Sequence, residues 1–265
     1  MAPRPAPDRW KNVVATLGDR RAAPNVGWVA RVTGRSPAEV ARAFDGVLRH
    51  SAAIGEIRRR HREGGRDFYA QIRAPVELYG MVRLLRPDAV VETGVSSGVS
   101  SAHFLFGLQD NRHGRLYSID LPTPQKSTEL QSDESPVSLP PGRKTGWSVP
   151  ERLRGRWDLS LGPSQELLPG VAERAGAIGL FLHDSLHTPR HLTFELETVR
   201  PHLAPGAVVL ADNTNWTGQA FDRFARSLGV PVFQRGRSHL VGLRVPTGPP
   251  RATGRRRRSP SRNKP

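Results

Sequence analysis

The chain has 265 residues, with 40 Lys and Arg against 24 Asp and Glu, a net charge of +16 and no cysteine. That length supports one sizeable core, and the missing cysteine excludes a disulfide framework and any thiolate-bound metal. No apolar run is long enough to span a bilayer and Met1 to Pro7 lacks the apolar core of a signal peptide, so a soluble, cytoplasmic protein with no membrane partner is expected.

The charge is unevenly distributed. Residues 1–73 carry 15 basic against 7 acidic side chains, residues 246–265 carry 7 against none, and residues 74–245 carry 18 against 17. A near-neutral middle argues against nucleic acid as a substrate, because an enzyme acting on it needs a basic stripe beside its active site. Three segments follow: an N-terminal helical extension over 1–73, a main domain over 74–245, and a disordered basic tail over 246–265.

In chain order, the first ~20 residues are rich in Pro and Arg and are expected to be poorly ordered. Ser36-Pro37-Ala38-Glu39 is a capping box with proline at the first helical position, and Val40, Phe44, Val47, Leu48 and Ile54 continue at helical spacing. Arg58-Arg59-Arg60-His61-Arg62 reads as the solvated end of that helix, with a phosphate-binding patch as the sharper alternative. Pro75 to Leu85 reads as a helix with an apolar face.

Next comes the stretch around which the chain is organised, Val90-Val91-Glu92-Thr93-Gly94-Val95-Ser96-Ser97-Gly98-Val99-Ser100. An apolar strand runs into a glycine turn and an apolar helix follows, a layout that offers backbone N–H groups and a positive helix end to a ligand. The spacing is Gly-x-x-x-Gly, not the Gly-x-Gly-x-x-Gly of a dinucleotide site, which disfavours an NAD-dependent oxidoreductase. Leu116 to Asp120 is a second strand, and Asp120 follows Glu92 by 28 residues, near the spacing at which a strand-end acid meets a ribose.

Residues 122–150 are Pro- and Ser-rich without periodicity and read as a lid-like insertion, where Trp147 either covers a substrate or packs on the rim. Trp157 to Leu161 is a third strand, turning at Gly162-Pro163-Ser164-Gln165 into a helix. Ile178 to Asp184 and Ala207 to Asn213 are buried strands separated by a helix from Thr188 to Leu203. A helix from Phe221 to Leu228 and strands over 230–233 and 239–245 complete the pattern. Alternating strands and helices predict an α/β, three-layer Rossmann-like fold with a mostly parallel, seven-stranded sheet.

Ligands of such sheets sit outside the carboxyl ends of the strands, where Glu92, Asp120, Asp184, Asp212 and Asn213 all fall. Asp184, Asp212 and Asn213 offer hard oxygen donors suited to Mg2+, and His187 has the ordinary pKa of a proton acceptor near neutrality. Reading His183, Asp184 and His187 as a metal hydrolase leaves the glycine turn unexplained and lacks further histidine ligands.

On these residues the chain resembles the class I S-adenosylmethionine-dependent methyltransferases, and within them the divalent-metal-dependent O-methyltransferases of the catechol and bacterial antibiotic-sugar type. The resemblance covers roughly residues 74–245. It implies that Glu92, Gly94, Ser96, Ser97, Gly98 and Ser100 hold the methionine part of S-adenosyl-L-methionine, and that Asp120 binds the ribose. Gly162-Pro163-Ser164-Gln165 is similar to a turn beside the adenine, implying cofactor roles for Ser164 and Gln165. Asp184, Asp212 and Asn213 match the metal triad, with the two aspartates 28 positions apart. Asp184 also borders the cofactor, and His187, where catechol enzymes carry lysine, is the implied base with Asp184 as a second catalytic group.

The expected activity is Mg2+-assisted O-methylation of a small-molecule hydroxyl, on a sugar or a phenolic natural product. The alternatives are a metal-independent methyltransferase and a nucleic-acid-binding protein with a methyltransferase-like domain. A homo-oligomer is compatible with all of them.

Overall fold

In a computed structural model, residues 24–64, 74–121, 139 and 142–248 are described. The first ~20 residues, most of the 122–150 insertion and the tail from 249 onward lie outside the described residues.

The elements run as α1 (Val26–Thr33), α2 (Pro37–Asp45), a 3-10 turn (Gly46–His50), α3 (Ser51–Gly64), α4 (Pro75–Leu85), β1 (Ala89–Thr93), α5 (Val99–Asn111) and β2 (Arg115–Asp120). They continue with a 3-10 helix (Glu151–Arg156), β3 (Trp157–Leu161), α6 (Ser164–Ala175), β4 (Ile178–His183) and α7 (Pro189–Val199). A further 3-10 turn (Arg200–His202), β5 (Leu203–Ala211), α8 (Ala220–Leu228), β6 (Phe233–Gln234) and β7 (Val241–Arg244) close the chain.

Local chemistry explains several boundaries. Ser36 accepts from the Glu39 backbone N–H while the Glu39 carboxylate accepts from that of Ser36, the reciprocal box expected from the sequence. Thr188 caps α7 through the His191 N–H, with Pro189 at the first helical position. The helical periodicity from Val40 to Ile54 is not one helix. It breaks at Gly46, where a side chain would strike the Tyr79 hydroxyl, so the chain tightens into a 3-10 turn before α3.

The seven strands lie in the order β3-β2-β1-β4-β5-β7-β6. All pairs from β3 to β5 are parallel, and β7 is antiparallel to both β5 and β6. Strand alternation sends Val90, Leu116, Leu180, Leu182, Val208 and Leu210 into one core, under α1 to α5. Their neighbours Val91, Ile119, Phe181, Val209 and Leu243 face the other core, under α6 to α8. Order reverses between β1 and β4, which marks the switch point where such sheets open a cleft.

The N-terminal helices share the first core. Trp28 is fully buried and its indole N–H donates to the Phe233 carbonyl at 2.8 Å. Glu77 on α4 forms a buried ion pair with Arg235 at 2.6 Å and also accepts from the Asn25 N–H at 3.0 Å. These contacts tie α1 and α4 to the far sheet edge.

Candidate active site

Past their ends, the parallel strands stay laced by backbone bonds. Gly162 N–H donates to the Asp120 carbonyl, Gly94 to Ile119, Asp184 to Thr93 and Asp212 to His183, all at 2.9–3.0 Å. The predicted site residues therefore form one row along the carboxyl edge of the sheet.

The glycine turn is shaped by close approach. Gly94 has φ +85°, and a Cβ there would collide with the Asp184 carbonyl, so this glycine lets the β1 and β4 loops touch. Gly98 has φ +89° and caps the start of α5, but a Cβ there would meet Val149 and the Gly146 backbone. Protein thus already occupies the space beside Gly98, a residue the resemblance assigns to the cofactor. Ser96 sits in the left-handed region at φ +49°, and its buried hydroxyl has no hydrogen-bond partner among the described residues.

The protein beside Gly98 is the end of the insertion. Gly146 N–H donates to the Ser96 carbonyl at 2.8 Å, and Ser148 reaches the Ser97 carbonyl through its N–H at 3.0 Å and its hydroxyl at 2.6 Å. Trp147 is buried within this strap, which supports rim packing for it. Asp120 joins strap and turn. One oxygen accepts from the N–H groups of Val95 (2.9 Å) and Ser96 (3.3 Å), and the other accepts from the Thr145 hydroxyl at 2.6 Å.

Glu92 is completely buried below the turn, accepting from Ser101 at 2.6 Å and Ser118 at 2.8 Å. Burial pushes its carboxyl up to about 7, against the opposing pull of the Ser100, Ser101 and Ser118 hydroxyls. Glu92 therefore braces β1, β2 and α5 from within instead of lining the cleft surface. Ser97 and Ser100 are also buried. Ser164 starts α6 with its hydroxyl turned inward to Glu195 at 2.6 Å, while Gln165 is exposed.

On the other side of the switch point, Asp184 follows β4, and Asp212 and Asn213 follow β5. His187 lies between them, 3.5 Å from the Asp184 carboxylate and 3.4 Å from the Asn213 amide. Asn213 holds φ +51°, a left-handed conformation that asparagine tolerates better than most residues. Burial, followed by the charge of Asp212, pushes the Asp184 carboxyl up to about 6 against the pull of His187. Among the described residues no three His, Asp or Glu side chains form a metal cage by themselves, so the predicted triad depends on the Asn213 amide. Its donors are all oxygens around unbalanced carboxylate charge, which suits a hard divalent cation.

Sequence reasoning missed the centre of this region, Glu195 on α7. It is fully buried and accepts from Ser164 (2.6 Å), Ser185 (2.9 Å) and His191 (2.9 Å) on one oxygen. Thr93 and His183, both at 2.7 Å, donate to the other. Burial would raise this carboxyl, but His183 beside it, helped by His191, holds it well below the ordinary glutamate value. Burial also lowers the His183 imidazole, against the opposing pull of the Glu195 carboxylate. One anion thus fastens the ends of β1 and β4, the start of α6 and the loop carrying Asp184 and His187. The available signal was His191 and Glu195, four residues apart, on the same helix stripe as the apolar Leu192, Leu196 and Val199.

Residues 91–214 match the family model described as a methyltransferase domain. No curated protein matches the chain. Among solved structures, the chain is similar to an O-methyltransferase from Klebsiella pneumoniae described as putative, at 16% identity over 73% of this chain and 89% of that one, with a TM-score of 0.51. An O-methyltransferase from Bacillus cereus bound to S-adenosylhomocysteine gives 14% identity, 74% and 90% coverage, and a TM-score of 0.52. The O-methyltransferase NovP gives 15% identity, 67% and 83% coverage, and a TM-score of 0.52. At these identities what is shared is the fold.

Proposed function

We propose that this chain, an S-adenosylmethionine-dependent methyltransferase of the class I fold, methylates a hydroxyl oxygen of a small molecule with the help of Mg2+. The observation that carries the reading is the row of Asp184, His187, Asp212 and Asn213 beside the glycine turn, at the switch point of the sheet. The Ser96 hydroxyl, without a partner among the described residues, and the polar rim of Asp120 fit a cofactor lying along the turn. Asp184, Asp212 and Asn213 would hold the cation, whose contribution is to lower the pKa of an acceptor hydroxyl.

This chain's own residues then do three things. The glycine turn and Asp120 orient the cofactor so that the acceptor oxygen attacks the methyl carbon in line with the departing sulfur. The O–H proton leaves to His187 or to the Asp184 carboxylate, a C–O bond forms, and the C–S bond breaks to give S-adenosylhomocysteine. Trp216, 37% exposed and with its ring 5.9 Å from that of His187, lines the acceptor side with apolar surface.

The test combines binding and turnover. S-adenosylhomocysteine should bind in the micromolar range by calorimetry, and NAD should not bind. With a hydroxylated sugar or phenol that is turned over, Asp212→Ala should lower activity steeply, with only partial recovery at high Mg2+. His187→Ala should keep cofactor affinity and lose about 10²–10⁴-fold in rate. Full turnover in the presence of EDTA would remove the metal from the mechanism.

A further inference from the structure

At the amino-terminal edge of the sheet, opposite the row of site residues, lies a second concave region. α5 has 13 residues and so spans roughly 18 Å between the two edges. One cavity, of about 440 Å³, is lined by Arg49, His50, Asp110, Arg112 and Arg152, among others. A neighbouring one of about 390 Å³ shares Gln109 and Arg152 with it and adds Arg115 and Arg156. Five arginines from three stretches of the chain, Arg49, Arg112 with Arg115, and Arg152 with Arg156, thus line one groove.

Two acids beside the groove are already committed among the described residues. Asp110 accepts from the Tyr79 hydroxyl at 2.6 Å, from Arg49 at 2.9 Å and from His50 at 3.1 Å. Glu56 is divided between Arg60 at 2.6 Å and Arg152 at 3.2 Å. Arg156 donates to the Gly114 carbonyl at 3.1 Å. Neither Arg112 nor Arg115 makes an ion pair among the described residues. Among the described residues, five arginines against these two carboxylates, one of them shared with Arg60, leave the groove net positive.

Arginine at the end of α5 has an ordinary use, since cations offset the partial negative charge of a helix C-terminus. That accounts for Arg112 alone. It does not account for Arg49, Arg115, Arg152 and Arg156, which come from other elements and leave an open concavity between them. Guanidinium forks match phosphate oxygens two at a time, whereas a hydrated lysine patch would not. No residue named here as lining the groove is an exposed aromatic side chain, so the base stacking that holds single-stranded nucleic acid has no platform.

We propose that this arginine-lined groove is a binding site for a small molecule carrying phosphate groups, separate from the methyl-transfer site. It does not depend on the methyltransferase reading, because it lies at the other edge of the sheet and uses none of the same residues.

Titrating the full chain with sodium pyrophosphate at constant ionic strength tests this by calorimetry. A saturable 1:1 isotherm is expected, weakened at least 10-fold in Arg112→Ala/Arg152→Ala and unchanged in the surface control Arg226→Ala. S-adenosylhomocysteine affinity should not move in the double variant. Inorganic phosphate and ADP identify the source: ADP binding more tightly than pyrophosphate assigns a nucleotide, and equal affinities assign the phosphates alone. Should the double variant not fold, Arg112→Gln and Arg115→Gln singly are expected to weaken pyrophosphate several-fold. Absence of a saturable isotherm, or undiminished affinity in the variants, overturns the proposal. So does an oligonucleotide that loses binding in the double variant while pyrophosphate fails to compete with it, because the groove would then be a nucleic-acid surface.

Discussion

At the scale of single residues, two buried carboxylates beside the site are shifted in opposite directions. Glu195 stays ionised because five donors converge on it, and removing its charge leaves those donors without an acceptor of equal strength. Glu195→Gln is therefore expected to cost about 2–4 kcal/mol, read from chemical denaturation. Its effect on turnover should fall on kcat more than on cofactor affinity, since the loop of Asp184 and His187 hangs from it. Glu92 has the reverse linkage. Its folded pKa of about 7 lies above the ordinary 4.5, so its contribution is fully present below pH ~4.5 and is lost as pH rises through ~7. The loss is on the order of 3 kcal/mol. Between pH 5 and 8, wild type should lose stability relative to Glu92→Gln, and parallel stability curves would refute the shift.

At the scale of elements, the turn after β1 and the strap over 142–150 act as one unit. In Gly98→Val the new side chain would displace Val149 and Gly146. The positive φ and the lost strap contacts together should lower stability by about 2–4 kcal/mol. Cofactor affinity should fall with them. Thr145→Val separates the two effects, because it removes only the hydroxyl bonded to Asp120. It should cost about 1 kcal/mol in thermal denaturation while leaving α5 and the turn in place. A loss as large as that of Gly98→Val would mean that the Thr145–Asp120 bond, not the packing at Gly98, holds the strap.

At the scale of the whole molecule, the N-terminal helices and the sheet share one core through Trp28, Phe44 and Tyr79. Trp28→Ala should cost about 3–5 kcal/mol, and the chain should still unfold in a single transition by calorimetry. Two separate transitions would show that the N-terminal helices fold apart from the sheet. Deleting residues 249–265 should leave the melting temperature nearly unchanged, since neither described core draws on a residue beyond Val245. Strand and helix identities were legible along the chain because period-2 and period-3.6 patterns, capping boxes and glycine turns are local. So was the row of Glu92, Asp120, Asp184, Asp212 and Asn213, since each lies within two residues of a strand end. Which of those groups open to the cleft was not legible. Glu92 is sealed inside, Gly98 is covered by a strap more than 45 residues later in the chain, and Ser164 turns away toward Glu195. The hub at Glu195 and the arginine groove were hidden for the same reason. Each is assembled from side chains brought together across tens of residues, and that juxtaposition exists only once the sheet order and the helix packing have been set.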